Sequence, residues 1–176
     1  MGRQKALLPW QGMTLIDYQL TQLSTIDDVR QIIVVTGHEP ERIREHATAY
    51  ERVACVHNAD YGSGKVSSIK AGLSAVRSDA DAVVLLAVDQ PRSADVIQRL
   101  LRAHFDSGGP ITVPVHAGSR GHPVVLAASL LPELRGIAEE TQGIRALLAD
   151  ARRVREVEFE DAGVLRDLNT PEDLTE

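Results

Sequence analysis

The sequence predicts a three-layer α/β domain built on a mostly parallel central sheet. Apolar runs of strand length recur along the chain, and segments with a period near 3.6 lie between them. The runs are continuous rather than alternating, which suits strands covered on both faces, as in a parallel sheet. The chain has 176 residues, 43% hydrophobic and 25% charged, enough for one core of ordinary size.

The elements follow in order. The N-terminal GRQKALLPWQG (2–12) begins polar and ends in an apolar LLPW anchor, and it is read as irregular chain rather than a strand. Leu15, Ile16, Leu20 and Leu23 line one face of a first helix. QIIVVT (31–36) is a β-branched strand closing at Gly37, and VACVH (53–57) is a second, weaker one. Ile69, Leu73 and Val76 mark a helix before AVVLLAV (82–88), the strongest strand of the chain. Val96, Ile97, Leu100, Leu101 and Phe105 mark the next helix, followed by strands at 111–115 (ITVPV) and 124–126 (VVL). Ile144, Leu147 and Leu148 predict a further helix, and VREVEF (154–159) a last strand. Thr170-Pro171-Glu172-Asp173 reads as a helix start, with a capping hydroxyl, proline at the first position and acid in the first turn. No repeat or linker interrupts this pattern, so 1–176 is expected to form a single domain.

Composition narrows the function. Nineteen basic against 25 acidic residues give a net charge of −6, which argues against nucleic acid or a membrane surface as partner. One Trp, three Tyr and two Phe leave little for base stacking. No apolar run approaches the roughly 18 residues of a membrane span, and no leader opens the chain. Cys55 is the single cysteine, which excludes an internal disulfide and a cysteine metal cluster and reads most simply as a small apolar core residue. A cytoplasmic location is expected.

Open α/β sheets place ligands beyond the carboxyl ends of their strands, so those ends hold the candidate residues. Asp89 ends the most hydrophobic run and precedes Gln-Pro. It is either a carboxylate aimed at a hard cation such as Mg2+ or an organiser of the turn into the helix that begins near Ser93. Lys5 is either a phosphate-binding point charge or a solvated lysine on a frayed terminus. Tyr61 to Ser68 (YGSGKVSS) is not a Walker A motif, because Ala59 and Val66 stand at required positions. Gly64, Ser67 and Ser68 nonetheless enter a helix, whose free N–H groups suit an anion or a base carbonyl, or serve only as an ordinary cap. His122, in Gly121-His122-Pro123, is a ligand contact or a solvated loop residue. Asp167 and Asn169 are candidates for a second metal-facing group, with local turn bonding as the alternative.

Five segments in order resemble the MobA-like NTP transferases, most closely the molybdenum cofactor cytidylyltransferases: MGRQKALLPWQG (1–12), NADYGSGKVSSIKAGL (58–73), AVDQP (87–91), RGHPVVL (120–126) and DLNTPEDL (167–174). The resemblance implies a GT-A-like sandwich. It assigns Lys5 to the triphosphate, Gly64, Ser67 and Ser68 to the base and ribose, and Asp89 to Mg2+. It further implies Asp167 or Asn169 as the second group at the metal, and His122 on the acceptor side. The implied reaction is attack by a phosphate oxygen of a molybdopterin-type cofactor on the α-phosphorus of CTP, with pyrophosphate released. Lys5 and Asp89 would be the catalytic residues, aligning two anions and offsetting their charge.

This sequence departs from that pattern twice. Lys65 stands where the family often has methionine. The family also opens with a hydrophobic strand and a signature resembling L-A-A-G-x-S-x-R, and Met1 falls at the end of that signature. Such a strand is worth on the order of 5–10 kcal/mol, so the natural product is expected to start upstream. Alternatives are guanylyl transfer, a sugar-phosphate nucleotidyltransferase, and a non-catalytic nucleotide or cofactor binder that docks on a molybdoenzyme or its chaperone.

Overall fold

The computed structural model describes residues 4–141, 143–169 and 173. The helix expected at Thr170-Pro171-Glu172 lies outside them. The chain opens with a 3₁₀ turn over Lys5–Leu7 and a two-stranded antiparallel ribbon, β1 (Pro9–Trp10) and β2 (Met13–Thr14). The N-terminal segment is therefore not wholly irregular: Gly12, at φ +83°, turns the LLPW anchor back on itself. Helix α1 (Leu15–Ser24) follows at once, its N-cap Thr14 hydroxyl accepting from the Asp17 amide.

Strands β3 (Ile32–Thr36) and β4 (Val53–His57) pair in parallel, Ile32 opposite Val53. Between them lies α2 (Pro40–Ala47), which no apolar period in the sequence marks. Its apolar face is only Ile43 and Ala47 at i, i+4, and its start is Pro40 at the first position. Helix α3 (Lys65–Ser74) leads to β5 (Ala82–Leu85), and α4 (Ala94–Ser107) leads to β6 (Ile111–His116). Ser93 caps α4 as expected, its hydroxyl accepting from the Val96 amide.

The second sheet is mixed, which corrects the expected parallel bias. Strand β8 (Val124–Ala127) lies between β5 and β6 and is antiparallel to both. The short β7 (Ser119–Arg120) is antiparallel to β6, and only β9 (Val154–Glu158) joins β6 in parallel. Both faces are covered, as the continuous apolar runs required. Val124 and Leu126 point into a core with Leu73 of α3 and Leu134 of α5 (Leu131–Gly136). Val125 points the other way, into Ile97, Leu100 and Leu101 of α4. Leu147 of α6 (Ile144–Ala149) joins the first core. Each such side chain contributes about 1.5–3 kcal/mol of burial. Strands β3 and β4 have their own cluster, in which Ile16, Leu20 and Ile43 pack around Ile32, with Cys55 partly buried among them and its thiol held up by that burial.

The 82–88 run behaves differently from its composition. Ladder pairing stops at Leu85, and residues 82–86 are only half-buried. Among the described residues β5 pairs on one side only, with β8. The chain then runs free of the ladder through Ala87 and Val88 to Asp89, where the site begins.

Candidate nucleotidyl-transfer site

Four separated segments meet at the end of that run. The buried Gln19 of α1 donates its side-chain amide to the carbonyls of Ala87 (2.7 Å) and Val88 (3.1 Å). On the other side the Leu168 amide donates to the Asp89 carbonyl at 2.8 Å. These bonds fix the Asp89 backbone and bring the 167–169 segment alongside it.

Lys5 crosses from the N-terminal turn to this point. Its ammonium donates to Asp89 Oδ2 at 2.8 Å and to Asn169 Oδ1 at 3.1 Å. The Lys5 and Asp89 side chains keep 37% and 25% of their surface exposed, so the pair can exchange partners with solvent or ligand. The backbone of Asn169 is held by its main-chain N–H, which donates to Asp173 Oδ2 at 2.8 Å. Two oxygens from distant segments thus converge on one cationic group. A carboxylate and an amide oxygen are hard donors of the kind that hold Mg2+ or Mn2+, with phosphates and waters completing the shell. Among the described residues no group of three or more His, Cys, Asp or Glu could hold a metal by itself. The donor set therefore fits a divalent ion that arrives with phosphate.

Asp167 points elsewhere. It accepts from Gln90 Nε2 at 2.6 Å, and the same nitrogen lies 3.3 Å from His122 Nδ1. Of the two residues expected to face the metal, Asn169 shares Lys5 with Asp89, while Asp167 is joined to Gln90. Desolvation by its neighbours holds the His122 imidazole below its ordinary pKa; Arg92 and Lys65 push the same way, and Asp167 and Asp89 oppose. The residue itself reaches solvent. Its loop is seated by glycine: a Cβ on Gly121 would collide with the Val164 carbonyl, to which the His122 amide donates at 3.1 Å.

Sequence reasoning gave no role to Gln90 or Arg92. Arg92 is 2% exposed and donates to the carbonyls of Pro91, His122, Val164 and Arg166 at 2.8–3.0 Å. Burial pushes its pKa down to about 10, which still leaves it charged at pH 7. One buried guanidinium thus ties the Asp89 turn, the His122 loop and the 164–166 segment together. Polar residues directly after the strongest apolar run were the one available signal for this pair.

The entrance of α3 is less open than expected. Val66 N–H donates to Glu139 Oε1 at 2.6 Å, so a carboxylate from the chain already sits at the helix N-terminus. Asn58, 6% exposed, donates to Ser67 Oγ at 2.9 Å and Ser68 Oγ at 3.1 Å. Ser67 in turn donates to the Gly64 and Asp60 carbonyls. Gly64 sits at φ +113°, and a Cβ there would strike Glu139. A groove of about 270 Å³ instead passes beside β3 to Lys5, lined by Gln4, Lys5, Val34, Thr36, Ile43 and Val88 among others.

Helices cover both faces of a mixed sheet, a lysine, an aspartate and an amide oxygen converge at a strand end, and by its family the protein is a nucleotidyltransferase. Residues 1–157 match the MobA-like NTP transferase domain, and the chain belongs to that family. It is 28% identical over 175 residues to the molybdenum cofactor cytidylyltransferase of Escherichia coli (strain K12), covering 99% of this chain and 86% of that protein. It is 31% identical over 157 residues to the nicotine blue oxidoreductase of Paenarthrobacter nicotinovorans, covering 84% and 74%. Its fold matches Rv0371c of Mycobacterium tuberculosis H37Rv with a TM-score of 0.79 at 22% identity, over 98% of this chain and 87% of that one. The complex of Rv0371c with manganese matches at 0.75 and 23% identity, over 98% and 90%. No helix among the described residues is long and apolar enough to cross a membrane.

Proposed function

We propose that this chain, acting as one nucleotidyltransferase domain over 1–176, transfers CMP from CTP onto the phosphate of a molybdopterin-type cofactor. The observation that carries the reading is the Lys5 ammonium bridging Asp89 and Asn169 at a strand end. The likeness to a molybdenum cofactor cytidylyltransferase favours the acceptor and the base. A phosphate oxygen of the cofactor attacks the α-phosphorus of CTP, forming one P–O bond as the bond to the bridging oxygen of pyrophosphate breaks.

Asp89 and Asn169 would hold a divalent ion, Mg2+ in this reading, whose charge offsets that of the triphosphate. The manganese complex of Rv0371c favours a divalent ion in this fold. Lys5 then passes from Asp89 to the phosphates, so its charge is always matched. The rigid Asp89 backbone, pinned by Gln19 and Leu168, keeps the two anions in line. His122 lies on the acceptor side. At the α3 entrance the Val66 amide already serves Glu139 and the Ser67 hydroxyl serves the Asp60 and Gly64 carbonyls, so Gly64, Ser67 and Ser68 are left to the base and ribose and not to the phosphates.

The test is pyrophosphate release with Mg2+ across CTP, GTP, ATP and UTP, with and without molybdopterin cofactor, and the product mass. Release that needs CTP and the cofactor is expected; preference for GTP would replace the base. The 31% identity to nicotine blue oxidoreductase favours a second reading, in which the scaffold serves another reaction. In that case no nucleotide gives pyrophosphate.

A further inference from the structure

The carboxylate of Asp167, the amide of Gln90 and the imidazole of His122 form a chain that nucleotide and metal binding leave unexplained. Gln90 is 7% exposed, and its Oε1 has no hydrogen-bond partner among the described residues. A buried amide oxygen without a partner is costly, so something else must hold this side chain in place. Its nitrogen is fully used: one N–H goes to Asp167 Oδ1 at 2.6 Å, the other faces His122 Nδ1 at 3.3 Å. The orientation is fixed by charge, since the flipped amide would set its oxygen against the Asp167 carboxylate. An amide NH2 group only donates, so Nδ1 must accept, and the ring proton must sit on Nε2. Arg92 fixes the same loop from below through the His122 carbonyl at 2.8 Å.

We propose that Gln90, anchored by Asp167, is a positioning residue that holds His122 as the neutral Nε2–H tautomer, so that the ring donates a hydrogen bond to an anionic oxygen of the acceptor. This rests on the nucleotidyl-transfer reading for its acceptor but not for its tautomer. A neutral donor is useful there: it orients the attacking phosphate without withdrawing the electron density that the attack needs. It also assigns Asp167 to the acceptor side, leaving Asn169 with Asp89 at the metal.

The test is the ring state of His122 in the full chain labelled with [15N]histidine, its signal identified by loss in His122→Asn. The wild type should show a proton-free Nδ1 and a protonated Nε2. Gln90→Glu puts an acceptor where the donor was, so the ring should move its proton to Nδ1 or become doubly protonated. Asp167→Asn keeps an oxygen for Gln90 and should retain the wild-type ring state, whereas Asp167→Ala should lose it. A wild-type ring protonated on Nδ1 overturns the proposal whatever the variants do. So does an unchanged ring in a folded Gln90→Glu protein. In turnover, Gln90→Leu should raise KM for molybdopterin cofactor about tenfold, one lost hydrogen bond's worth, with KM for CTP unmoved. An equal rise for both substrates removes the acceptor-side role. If no nucleotide supports turnover, the proposed function fails while the ring state still decides the tautomer.

Discussion

Two polar regions lie at the carboxyl ends of the strands, and they are built in opposite ways. Lys5, Asp89 and Asn169 come from segments as much as 164 positions apart, and each is only partly covered. Asn58, Gly64, Ser67 and Ser68 come from one short stretch and satisfy one another, with Glu139 closing the helix end. The first arrangement holds charged groups that can trade partners when a ligand arrives. The second spends the Asn58 amide, the Ser67 hydroxyl and the Val66 N–H on bonds within the chain at a helix start. Polar density alone does not distinguish a site from a cap; the sequence distance between partners and their exposure do.

Asp89→Asn is the strongest test of that contrast. The carboxamide keeps the shape and loses the charge, so turnover should fall on the order of 10²–10³-fold, the cost of removing one preorganised electrostatic contact. The melting temperature should stay within about 2 °C, because the pair is half-exposed and surface ion pairs contribute little. Normal turnover in pyrophosphate release would move the site elsewhere.

Lys5→Met should cost less, about 10–100-fold in turnover, as one charge-assisted contact to phosphate is lost. It should also free Asp89 and Asn169 from their competitor. Mn2+ binding without nucleotide, followed by the spectrum of the free ion, should tighten several-fold. Weaker metal binding in this variant would mean that Lys5 builds the metal site instead of occupying it.

Gly64→Ala should reverse the pattern. A residue with a side chain at φ +113° is strained by about 1–3 kcal/mol, and the new Cβ meets Glu139. The melting temperature should drop by several degrees, at about 2–4 °C per kcal/mol for a chain of this size. Turnover per folded molecule should hold within about twofold.

The same contrast explains what was legible in the sequence. Ile32–Thr36, Val53–His57 and Ile111–His116 are continuous runs whose burial is local in cause, and their bounds were readable to within a residue or so. Helix α2 was not, because Arg42, Arg44, Glu41 and Glu45 leave only Ile43 and Ala47 to face the core. Nor does any run reveal its partner: that β8 lies antiparallel between β5 and β6 depends on pairings tens of residues away. Asp89 was visible as the end of an apolar run. Its tie to Lys5 and Asn169 entered only through the family resemblance, and Gln90 and Arg92 stayed hidden because a buried polar group leaves no periodicity.

The smallest expected effect is the sharpest discriminator. Ser67→Ala removes the hydroxyl that donates to Gly64 and Asp60 and accepts from Asn58. Asn58 keeps Ser68 at 3.1 Å, so one of its two N–H groups stays paired, and the loss should be about 0.5–1.5 kcal/mol. The Ser67→Ala, Ser68→Ala pair leaves Asn58 Nδ2 without either acceptor and should lose more than the two single changes together. If these residues only cap α3, thermal stability moves in both variants while KM for CTP stays within about twofold. If they hold the base or ribose, KM for CTP rises about tenfold with the melting temperature nearly unchanged, since a missing ligand contact of about 1.4 kcal/mol appears only when the nucleotide is bound. Measuring both quantities on the same two proteins separates a helix cap from a nucleotide contact.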